Sequence, residues 1–98
     1  MLVEGQGMRD EQQSMRAWAL KWVEGSLLGF ARGSTPFNIV MGRIKRSVES
    51  YGVKPNEILL LIELIEQSPV YLPNLSKEEK IARLRPIKSA VENMCSGK

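Results

Sequence analysis

Asn56–Gln67 reads NEILLLIELIEQ, and its reading decides the fold. Ile58, Leu59, Leu60, Leu61, Ile62, Leu64 and Ile65 are large aliphatics, and only Asn56, Glu57, Glu63, Glu66 and Gln67 are polar. On a helix, Asn56, Glu63, Glu66 and Gln67 fall near one narrow stripe. A helix apolar around most of its circumference belongs in a core. It is too short to cross a membrane, which takes roughly 20 apolar residues. The stretch therefore predicts a small all-α bundle of four to five helices, wrapped around a central apolar helix at about 56–67.

The flanking sequence supplies the wrapping helices. Upstream, Phe37, Val40, Met41, Ile44, Val48 and Tyr51 recur at helical spacing, the cleanest amphipathic pattern in the chain. Thr35 is placed to cap this helix and Pro36 to open it, because proline lacks the N–H that has no partner there. Gly52 is placed to end it. Val53-Lys54-Pro55 then turns the chain into the central helix, with Asn56 as its expected cap.

An earlier helix is expected from Arg9 onward, with Met15, Trp18, Ala19, Trp22, Val23, Ser26 and Phe30 on one face. Its end is open between Gly25 and Gly33, since Gly25, Gly29 and Gly33 stand four apart. That spacing fits either close helix approach or fraying and capping. Trp18 and Trp22 are expected to close the core. Downstream, Ser68–Leu75 (SPVYLPNL) holds two prolines and no helical period. Ser76 and Glu79 form a capping box for a last helix. Ile81, Leu84, Ile87, Val91 and Met94 continue its face. Pro86 interrupts it, so two short helices are expected, Lys77–Leu84 and Pro86–Met94.

One domain is expected over 9–95, with disordered ends at 1–8 and 96–98; Met8 and Met15 are alternative starts. The chain of 98 residues has room for one modest core. It contains no histidine and a single cysteine, Cys95. This removes the commonest general base, the commonest metal ligand and any internal disulfide together. Phosphate-cradling glycine loops and calcium-loop carboxylates are also missing from the sequence. The expectation is a non-enzymatic protein without cofactor, metal or small-molecule substrate, placed in the cytoplasm.

Charge is the remaining signal. The net charge is +3, unevenly spread. Gly25–Val48 carries Arg32, Arg43, Lys45 and Arg46 with no acid, and Lys80–Val91 carries Lys80, Arg83, Arg85 and Lys88 with no acid. The central helix carries Glu57, Glu63 and Glu66. Positive patches attract phosphates. Arg32, Arg43, Lys45, Arg46, Arg83, Arg85 and Lys88 are thus candidates to contact a DNA or RNA backbone in a regulatory module. The alternative is a protein-binding inhibitor, adaptor or self-assembling domain, a homodimer included. Its candidate contacts are the surplus apolar residues Leu27, Leu28, Phe30 and Tyr71.

Overall fold

The computed structural model describes the backbone of residues 3–96 and the side chains of residues 14–95. Residues 1, 2, 97 and 98 lie outside the described residues, and with them part of the two ends expected to be disordered. The chain forms four helices: α1 (Val3–Arg32), α2 (Phe37–Ser50), α3 (Pro55–Gln67) and α4 (Lys77–Ser96). Among the described residues there is no strand.

Contacts along the chain run in opposite order between neighbours. Phe30 meets Phe37, and Trp18 and Trp22 meet Tyr51, so α1 and α2 are antiparallel. Asn56 meets Cys95, and Glu66 meets Lys88, so α3 and α4 are antiparallel too. α1 packs chiefly on α2, and α3 on α4. The result is an up-down-up-down bundle of two helical hairpins. Its core is Ala19, Val23, Leu27 and Ala31 from α1, Val40 and Ile44 from α2, Ile58, Ile62 and Ile65 from α3, and Leu84, Ile87 and Val91 from α4.

Gly25, Gly29 and Gly33 stand in three different surroundings. Gly25 faces open space. Gly29 is approached by the following turn, where Thr35 and Ser34 occupy the room a side chain would need. The Gly29 carbonyl accepts from the Ser34 and Thr35 N–H groups at 2.8 and 3.2 Å and from Ser34 Oγ at 3.1 Å. Gly33 stands just past the helix with φ of 88°, the left-handed conformation glycine adopts at a helix end. The helix therefore runs through Gly25 and Gly29. Thr35 helps to close α1 instead of capping α2, which starts at Phe37 with Pro36 extended before it.

At the other helix ends, Gly52 has φ of 75° as expected of a residue terminating α2. The start of α3 differs by one residue: Pro55 opens it, and Glu57 Oε1 accepts from the Lys54 N–H at 2.9 Å. Asn56 is a partner for Cys95 and not a cap. The Ser76–Glu79 capping box is formed in both directions, at 2.8 and 3.1 Å.

Two larger corrections concern α3 and α4. The isoleucines of α3 face inward, but Leu60 and Leu64 are 65% and 50% exposed, so one flank of the rod is uncovered. Glu66, expected on a solvated stripe, is buried and lies 3.6 Å from Lys88 Nζ. α4 does not divide at Pro86. Proline frees the carbonyl four residues back, that of Ala82. Ala82 and Pro86 are both exposed, so water can take that bond. Leu84, Ile87 and Val91, buried on the opposite side, hold the two halves in line.

Ser68–Leu75 is a series of turns. Its anchor is Lys80, nearly fully buried, whose Nζ donates to the Ser68 and Tyr71 carbonyls at 2.9 and 3.0 Å. Leu72 is buried with φ of 53°, a left-handed backbone that costs a non-glycine residue about 1 kcal/mol.

Candidate functional site

The buried stripe of α1 carries Ala19, Val23, Ser26 and Leu27. Trp18 and Trp22 each stand one position before a member of that stripe, about 100° round the helix from it. The two tryptophans lie on the flank, where Trp18 is 53% exposed; this overturns their expected core position. Trp18 stacks on Trp22 with centroids 5.0 Å apart and planes at 27°. Tyr51 meets both edge-on, at 5.8 and 6.5 Å.

A cation is built into this aromatic face. The Arg43 guanidinium carbon lies 5.5 Å from the Trp22 ring centroid, and Nη1 donates to Ser26 Oγ at 2.9 Å. Ser26 Oγ in turn donates to the Trp22 carbonyl at 2.9 Å. Each tryptophan is thus held by two rings, and Trp22 by a cation as well. Arg46 follows Arg43 by one helical turn on the same side of α2 and is exposed. Beside the cluster, Met15, Arg16, Ser50, Tyr51 and Gly52 line a hollow of about 450 Å³.

The other candidate cations do not join this face. Lys45 is two residues from Arg43 and so points to another side of α2. Arg83 Nη1 donates to the Ala31 carbonyl at 2.8 Å, closing the end of α1. Arg32 and Arg83 are brought together around a hollow of about 290 Å³ with Leu72–Leu75. Arg85 and Lys88 share a shallow hollow on α4, and Lys88 also faces Glu66. The seven cations therefore do not form one patch: Arg43 and Arg46 share one face, Arg32 and Arg83 a second, Arg85 and Lys88 a third, and Lys45 stands apart; the described contacts give Arg43, Arg83 and Lys88 intramolecular partners.

Among the apolar candidates, Leu27 is completely buried and belongs to the core, which corrects its placement on a contact surface. Leu28, Phe30 and Tyr71 are half-buried. Apolar surface is also exposed in a groove of about 370 Å³ between α1 and α3. Ala17, Leu20, Lys21 and Glu24 form one wall and Glu57, Leu60, Leu61 and Leu64 the other. Arg16 and Glu57 form an ion pair at one end of it. Near the other end, Tyr71 is hydrogen-bonded to Glu24. That bond, with partial burial and the Glu24 charge, raises the phenol above its usual 10.0. The sequence held a signal for this groove: isoleucines occupy positions 58, 62 and 65, and leucines the flank at 60, 61 and 64.

Reactive chemistry is sparse. Cys95 is exposed, and its thiol donates to Asn56 Oδ1 at 3.3 Å. Among the described residues no group of three or more cysteine and carboxylate side chains is placed to hold a metal ion, and no helix is long and apolar enough to cross a membrane. Comparison with protein families, with characterised proteins and with solved structures finds no match to this chain.

Proposed function

We propose that this chain is a non-enzymatic, cytoplasmic binding module that takes single-stranded nucleic acid on the Trp18–Trp22–Tyr51 face. The observation that carries the reading is the half-exposed Trp18 ring, held by Trp22 and Tyr51 beside Arg43. A fixed indole offers an unpaired base a stacking partner with little entropy left to lose, and such stacking is worth about 1–3 kcal/mol per base. Arg46, with the outer nitrogens of Arg43, would meet the phosphates on either side. Duplex is disfavoured because paired bases do not expose their faces. Arg32, Lys45, Arg83, Arg85 and Lys88 add to the positive field that speeds encounter without touching the stacked bases.

Tryptophan fluorescence tests this directly. A single-stranded oligonucleotide should quench it, and duplex of the same sequence should quench it less. Trp18→Ala should weaken binding by about 5- to 150-fold, the equivalent of one lost stack. Arg46→Ala should lower the slope of log K against log salt by about 0.7, one phosphate contact on a single strand. Absence of binding at low salt removes the reading.

A second reading, a protein-docking or self-assembling module, is favoured by a different observation. Leu60 and Leu64 stand exposed in an apolar groove on the other flank of α1.

A further inference from the structure

The α1–α3 groove has an order that identifies what covers it. On α1 the groove is lined by Ala17, Leu20, Lys21 and Glu24, and the outer stripe of the helix runs Ala17, Lys21, Glu24 and, one turn beyond the groove, Leu28, spaced four, three and four. The pattern is palindromic: an apolar residue at each end, opposite charges in the middle. Laid antiparallel on a copy of itself about the midpoint between Lys21 and Glu24, it puts each lysine against a glutamate. Ala17 then meets Leu28 of the copy. On α3, Leu60 and Leu64 are likewise one turn apart, and an antiparallel copy about Ile62 sets Leu60 on Leu64.

Both relations need the same symmetry axis, and the fold supplies it. α1 and α3 run parallel, with Arg16 paired to Glu57 at one end and the stretch Ala17–Glu24 forming the wall opposite Glu57–Leu64, which sets Arg16 about level with Glu57. The midpoint of Lys21 and Glu24 stands six and a half residues above Arg16, and Ile62 stands five above Glu57. At a rise of ~1.5 Å per residue, the two levels differ by only about 2 Å. One two-fold axis lying across the helices therefore passes both midpoints. It lays α1 on α1 and α3 on α3, each antiparallel.

We infer that a second copy of this chain covers the α1–α3 face, forming a two-fold dimer through the Lys21/Glu24 and Leu60/Leu64 stripes on the two walls of the groove. The leucines supply apolar burial, and the two reciprocal ion pairs fix the register. A single helix from another protein would have no need of a palindrome. The Trp18–Trp22 face lies on the other flank of α1, so the dimer presents two such faces. The inference is independent of the nucleic-acid reading, because its test reads mass alone.

The test is sedimentation of the full chain over a range of concentrations. The wild type should reach twice 11.0 kDa. Lys21→Glu sets four carboxylates together at the two contacts, and Glu24→Lys sets four ammonium groups there. Each should weaken self-association by about tenfold or more. An equimolar mixture of the two variants should recover a dimer, because every contact is again lysine against glutamate, and native mass spectrometry should find it one-to-one. Leu60→Glu should give a monomer with an unchanged circular dichroism spectrum, since Leu60 is outside the core. A wild type that remains monomeric at millimolar concentration overturns the inference. So does a variant mixture that forms no heterodimer, or a Lys21→Glu chain that dimerises as well as the wild type. A wild-type monomer that takes up an amphipathic helix would assign the groove to another protein and would overturn it equally.

Discussion

Alanine at Gly25 and alanine at Gly29 should act in opposite directions, although the two positions are one turn apart on the same helix. Removing a glycine from a helix interior gains about 0.8–1 kcal/mol from the reduced freedom of the unfolded chain. At Gly25 nothing lies within 4 Å of the added carbon, so that gain should appear in full. At Gly29 the same carbon meets the Thr35 hydroxyl too closely to be tolerated, with Thr35 Cβ at 3.2 Å and Ser34 Oγ at 3.4 Å. The Ser34–Thr35 turn must move, yet it is tied to the Gly29 carbonyl by three hydrogen bonds. Overpacking of this kind costs about 1–3 kcal/mol, which leaves a net loss of up to about 2 kcal/mol after the helix gain. Urea unfolding followed by far-UV circular dichroism measures both, and Tm should move by about 4–8 °C for each kcal/mol. Thr35→Gly in the Gly29→Ala background should recover part of the loss, whereas with Gly25→Ala it should be additive. Equal stabilisation by the two alanines would refute the argument that the turn excludes a side chain at Gly29.

Three further outcomes follow from the packing. Ile62→Ala, within the core, should lose about 2–5 kcal/mol, whereas Leu60→Ala should stay within about 0.5 kcal/mol in monomeric conditions; denaturant midpoints compare them, and equal losses would reverse the faces of α3. Lys80→Met keeps the stem but leaves the Ser68 and Tyr71 carbonyls without their charged donor, for a loss of about 2–4 kcal/mol; a midpoint unchanged from wild type would show the anchor to be idle. The Tyr71 phenol, held up by Glu24, binds its proton more tightly folded than unfolded, so the stability it contributes is complete below pH 10.0 and fades as pH rises through the folded value. Ultraviolet titration of a Tyr51→Phe chain reads Tyr71 alone, and Glu24→Gln should bring its pKa down.

Local signals carried far into this fold. Ser76 with Glu79, Pro55 before the aliphatic run, Gly52 and Gly33 each mark a helix end by chemistry that acts within a few residues, and the structure uses all of them. What depended on packing was not legible. Pro86 is a strong local stop, overruled because three buried side chains on the far face keep α4 continuous. Trp18 and Trp22 look like core residues, yet the face of α1 that packs inward is the neighbouring one, with Ala19, Val23, Ser26 and Leu27. Lys80 reads as one more cation in a basic run, yet its stem is enclosed and its head is bound to a loop twelve residues back.

The candidate site was legible only as residue types. Arg43 was visible as a cation and Trp22 as an aromatic, but the contact between them requires α2 to return antiparallel along α1. Lys45 and Arg43 are neighbours in sequence and point to different sides of one helix. Arg32 and Arg83, fifty-one positions apart, come together because the end of α1 needs a donor for the Ala31 carbonyl.

The pairing of α1 with α2 and of α3 with α4 also sets how the chain should assemble. Each pair closes over a short link, Gly33–Pro36 or Ser68–Ser76, so ring closure is cheap and most contacts are sequence-local. Collapse should be fast, with either pair able to nucleate first. The line of least resistance runs between the pairs, not through them, pivoting at Tyr51–Lys54. Amide exchange should therefore fall into two blocks, each pair opening as a unit, with the Arg83 clasp on Ala31 among the first bonds released.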